Sequence, residues 1–89
     1  MCTYRTEQVA LSGSGKGHQG WFQLQSASVY LDHPSHAPLL HSLNLDFLNP
    51  DLGPGARVAV ELSAESARGL ASAILRALEE EAEPAQTLR

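Results

Sequence analysis

The chain has 89 residues, 43% of them hydrophobic and 18% charged, with a formal net charge of −4. That length serves one small domain and excludes a large catalytic scaffold. Its core would be modest enough to gain from a second subunit, so a homo-oligomer, most simply a homodimer, is expected. The acidic balance provides no basic stripe for nucleic acid or an anionic membrane surface, no apolar run is long enough to span a membrane, and Met1 to Glu7 lacks the apolar core of a secretory signal.

Residues 3–11 mix β-branched, aromatic and polar types without a helical stripe and read as a strand. Ser12-Gly13-Ser14-Gly15-Lys16-Gly17 then reads as a flexible hairpin loop. Its resemblance to a phosphate-binding loop fails, because Lys16 is followed by Gly17 and His18 and a strand instead of Ser or Thr and a helix. Trp21 to Leu31 is again strand-like, but Phe22 and Leu24 share one parity while Trp21, Val29 and Leu31 share the other. Either a bulge near Gln25-Ser26-Ala27 shifts the register, or both faces of this strand are covered.

The prolines of residues 32–41 mark a connection. Leu43, Leu45 and Phe47 next alternate with Asn44 and Asp46, the turn residues Asn49 to Gly55 follow, and Val58, Val60 and Leu62 alternate with Arg57 and Glu61. This predicts a hairpin in which Leu45 faces Val58, Leu43 faces Val60 and Asp46 faces Arg57 across the solvent side. Ser63 is a good N-cap for a helix over about 64–82, with Ala67, Leu70, Ala71, Ile74, Ala77 and Leu78 at helical spacing. Gly69 suggests a close approach of that helix to the sheet, and Pro84 ends the domain. The expected fold is therefore α+β: a four-stranded, mostly antiparallel β-sheet in the order β-β-β-β-α, with one C-terminal amphipathic helix packed on one face. The domain spans 1–83 and a flexible tail spans 84–89. The opposite face would carry Trp21, Tyr4 and Tyr30 and meet the same face of another subunit.

Chemistry concentrates in Asp32-His33-Pro34-Ser35-His36-Ala37-Pro38-Leu39-Leu40-His41, which holds three of the four histidines. Neutral imidazole suits a divalent transition metal (Zn, Ni, Cu or Fe), and the prolines would stiffen a ligand loop. His33 and His36 would be ligands, with His41, Asp32 or Asp46 completing the set or orienting an imidazole. The spacing matches no standard zinc signature, and parity sends His41 toward the apolar face of its strand. The plainer reading makes His33 part of a turn, His36 exposed and His41 a core-edge residue. A metal-free acid–base site built from the same residues lacks an identifiable nucleophile or oxyanion donor, so enzymatic activity stays open. Cys2, the single cysteine, permits no internal disulfide and fits a reducing, cytoplasmic compartment. As a site it is a small hydrophobe or, if Met1 is removed, an N-terminal thiol.

Met1-Cys2-Thr3-Tyr4-Arg5, Asp32-His33-Pro34-Ser35-His36-Ala37-Pro38, Asn44 to Pro50 and Ala56 to Leu62 together resemble a small family of uncharacterised bacterial, actinobacterial-type proteins. The resemblance spans nearly the whole chain. It implies a compact stand-alone domain of unknown function and brings no catalytic or binding residues with it. Two readings follow from the sequence: a metal-binding domain using the histidine cluster, or a metal-free homo-oligomeric module that binds a small ligand or a protein.

Overall fold

The computed structural model describes residues 5–32 and 41–80. Strands β1 (Thr6–Gly17), β2 (Gly20–Asp32), β3 (Ser42–Leu48) and β4 (Arg57–Leu62) precede helix α1 (Ala64–Glu80). The sheet order is β1-β2-β3-β4 and every neighbouring pair is antiparallel, which makes a meander followed by a helix. The expected α+β class and element order are those of the structure. Tyr4, the helix end beyond residue 80 and the tail at 84–89 lie outside the described residues.

The glycine-rich stretch departs from expectation. Ser12 to Gly17 continues β1, and only His18 and Gln19 turn the chain before Gly17 pairs with Gly20. Among the described residues none other than glycine has a positive φ, so this turn is not of the primed hairpin type; Gly20, at φ 110°, supplies the positive angle. The glycines serve packing across the strands. A Cβ on Gly15 would stand 3.3 Å from a Leu24 methyl, and one on Gly17 would stand 3.2 Å from the Phe22 ring. Phe22 and Leu24 therefore lie over bare backbone, as apolar side chains do when they cover strand glycines.

The β1–β2 ladder is irregular at the height of the parity change in β2. Ala10 pairs with Ser26 but Gly13 pairs with Leu24, so Leu11 and Ser12 stand opposite Gln25. The irregularity sits at the expected height, with the extra residue on β1. In β2 the covered positions Phe22, Leu24 and Ser26 are followed by an unbroken covered run from Ala27 to Tyr30, so both faces of that half of the strand are covered.

Between β3 and β4 the parity is as predicted and the register is not. Leu43 pairs with Leu62, Leu45 with Val60 and Phe47 with Val58, two residues farther along β4 than expected for each β3 position. The connection decides this. Asn49 caps a 3-10 turn over Pro50–Leu52, its side chain accepting from the Asp51 N–H, and Gly53 closes the turn at φ 94°. The Asn49 backbone N–H also donates to the Ala56 carbonyl, adding one ladder bond to the hairpin. The pairing predicted from charge would have left too little chain for this turn.

Ser63 caps α1 as expected, its hydroxyl accepting from the Ser66 N–H at 3.1 Å. The helix lies on the face that bears Val29, Leu43, Leu45 and Leu62. Its docking is shallow: Ala67 is the one half-covered residue among its described side chains, and Leu70, Ile74, Leu75 and Leu78 are exposed. Gly69 does not mark a close approach, since a Cβ there would meet nothing within 4 Å. Among the described residues, Ala27, 5% exposed, is the single buried apolar side chain.

Candidate functional site

Two surfaces carry the unusual features, one on each face of the sheet. On the helix side a cleft of about 340 Å³ opens between Val29, Leu43, Leu45 and Leu62 of the sheet and Ala67, Leu70, Ala71 and Ile74 of α1, with Arg68 at its rim. Alternation in the strands and helical spacing in α1 aim both apolar sets at each other. The helix then stands too far off to close the gap, so the side chains that should form a core line an open groove.

The other face is polar, and β3 buries it more deeply than its apolar side. Ser42, Asn44 and Asp46 are all buried, whereas Leu43, Leu45 and Phe47 are half-buried. Asp46 accepts from Arg57 Nη2 at 2.7 Å and Nε at 3.1 Å, and from the Tyr30 hydroxyl at 3.1 Å. Ser42 donates to the Asn44 side-chain oxygen at 2.6 Å. Partial burial, together with the hydrogen bond to Asp46, pushes the Tyr30 phenol above its ordinary value of 10.0 and keeps it a donor. No described buried side-chain nitrogen or oxygen lacks a partner, so the network is complete. Arg57 meets Asp46 as the sequence suggested, but diagonally, because Asp46 pairs with Ala59 and Arg57 with Leu48.

Tyr30 therefore belongs to a hydrogen-bonded cluster, while Leu70, Ile74, Leu75 and Leu78 of α1 stand exposed on the helix side. Trp21 sits apart at the hairpin tip, 70% exposed, beside a cleft shared with Leu52 and Pro54 of the β3–β4 connection. Sequence parity had no means of separating these roles, since an exposed aromatic and a hydrogen-bonded one alternate in the same way.

Of the candidate metal ligands, Asp32 ends β2 and His41 stands immediately before β3, both exposed. Asp32 pairs with Ser42, so the ladder brings the two ends of the histidine-bearing segment to one end of the sheet. Asp46 pairs with Ser28, four residues farther along each strand, and faces Arg57 and Tyr30. His33, His36 and Cys2 lie outside the described residues. Among the described residues, no three His, Cys, Asp or Glu side chains come together as a metal-binding group, and no helix is long and apolar enough to cross a membrane.

No curated protein and no solved structure matches the chain. The family model for DUF6295, described as a family of unknown function, matches residues 1–88. The chain, a meander of four strands with one helix, belongs to that family.

Proposed function

We propose that the protein is a homo-oligomeric interaction module whose working surface is the apolar cleft between α1 and the sheet. One observation carries this reading: Ala27 is the single buried apolar side chain among the described residues, while four large aliphatic residues of α1 stand exposed. Hydrophobic burial is the main favourable term in folding, and a chain this short has little else to offset its conformational entropy. A partner that covers the groove supplies the missing burial, as subunits do in small obligate dimers. The single cysteine is consistent with a cytoplasmic setting for such a module. Sedimentation equilibrium on untagged protein tests the reading. A dimer or higher oligomer at low micromolar concentration is expected, and a monomer up to about 200 µM, roughly the range of weak transient association, would refute it.

A metal-binding reading keeps one supporting observation, the convergence of Asp32 and His41 at the sheet end where the segment bearing His33 and His36 departs and returns. A divalent transition metal held there would stabilise the fold, because binding energy becomes folding energy. Elemental analysis of untagged, chelator-free protein decides it: near-stoichiometric metal lost in the His33→Ala/His36→Ala double variant supports the site, and metal far below one per chain after loading eliminates it.

A further inference from the structure

We infer that the occupant of the cleft is a second copy of this chain, whose α1 lies antiparallel to the first with Arg68 of each copy beside Glu79 of the partner subunit. This rests on the self-association reading and specifies its geometry. At about 100° per residue, Ala67, Ala71, Ile74 and Leu78 fall within about 60° of one another around α1. Leu75 widens that stripe on one side. Leu75 and Leu78, 63% and 59% exposed, do not line the cleft, so apolar surface continues past the region that the sheet faces.

The charges along that same side set the direction of pairing. Arg68 and Glu79 lie just beyond Leu75, about 20° apart around the helix and about 16.5 Å apart along it. Both are exposed, and among the described residues neither takes part in an ion pair. Two helices related by a two-fold axis across their contact keep each flank against the same flank of the partner, with chain direction reversed. An axis passing between Ala73 and Ile74 then sets Arg68 beside the partner's Glu79 at two symmetric places. A parallel pair would instead set this flank against the opposite one, which carries Ser66, Ala73 and Ala77 and offers Arg68 no carboxylate at its own height along the helix. The apolar stripe supplies affinity in either direction, so the charges select the antiparallel one.

Charge reversal on the full chain tests the geometry, with folding checked by circular dichroism. Arg68→Glu and Glu79→Arg alone each place like charges at both symmetric positions, and each should weaken the dimer about fivefold to tenfold by sedimentation at low salt. The double variant restores both pairs with reversed polarity and should return to within about twofold of the unmodified chain, well inside the spread of surface-pair energies. Restoration supports the antiparallel pairing. A double variant no tighter than the singles, or singles that dimerise normally, overturns that pairing and leaves the oligomeric module standing. An unmodified chain that stays monomeric overturns both.

Discussion

Replacing Ile74 by alanine separates an open groove from an interface, because the two arrangements predict effects on different quantities. Ile74 is 51% exposed in the single chain, so its own fold supplies about half of the burial available to it. Full burial of an isoleucine is worth about 1.5–3 kcal/mol, and half of that is about 1 kcal/mol. Alanine is also the better helix former by about 0.4 kcal/mol, so folding of an isolated chain should lose only about 0.5 kcal/mol. In a dimer the remaining half is buried on association and is lost once from each copy, about 2 kcal/mol in all, or roughly a thirtyfold rise in Kd. Sedimentation equilibrium reads the Kd, and urea unfolding at two protein concentrations reads the stability. A Kd within about twofold of the original, combined with a loss of about 2–5 kcal/mol in concentration-independent stability, would mean that Ile74 is a core residue of its own chain and would refute the reasoning.

Three further expectations concern the polar face and the turns. Asp46→Ala removes the acceptor shared by Arg57 and Tyr30 and should destabilise by about 2 kcal/mol in urea unfolding, the half-exposed Arg57 being able to return to water; a loss below about 0.5 kcal/mol would show the network to be dispensable. Because the folded state raises the Tyr30 pKa above 10.0, its contribution is intact below that value and is lost as pH rises through the folded pKa; stability should fall on the alkaline side, less steeply in Tyr30→Phe, and equal slopes would contradict the assignment. Gly53→Ala meets no steric neighbour but forces a side chain into φ 94°, so it should cost about 1–3 kcal/mol through the backbone alone, and a neutral change in thermal unfolding would refute that strain.

The alternation of Leu43, Leu45 and Phe47 and of Val58, Val60 and Leu62 was legible as two strands sharing an apolar face, since a period of two leaves little else. Their register was not. Parity admits every pairing that keeps both apolar sets on one side, and the Asp46–Arg57 attraction is satisfied diagonally as well as directly opposite. The Asn49-capped turn chose among them. The glycines between Gly13 and Gly17 misled for a related reason: local preference marks them as loop, while Phe22 and Leu24 on the neighbouring strand need the space that absent side chains leave. For the candidate sites, Asp32 and His41 were read as parts of one connection over residues 32–41, and they stand at the end of β2 and just before β3, but nothing local indicated that Asp46 faces Tyr30.

What the sequence determined by itself was whatever depends on neighbours along the chain: the four strands, the capped amphipathic helix and the side of each element that is apolar. The tertiary structure decided how closely those sides meet. Helical period and strand alternation fix directions without fixing distances, so only the folded chain revealed α1 standing off the sheet. That separation is what leaves its aliphatic stripe exposed, while the polar face of β3 closes over its own hydrogen bonds.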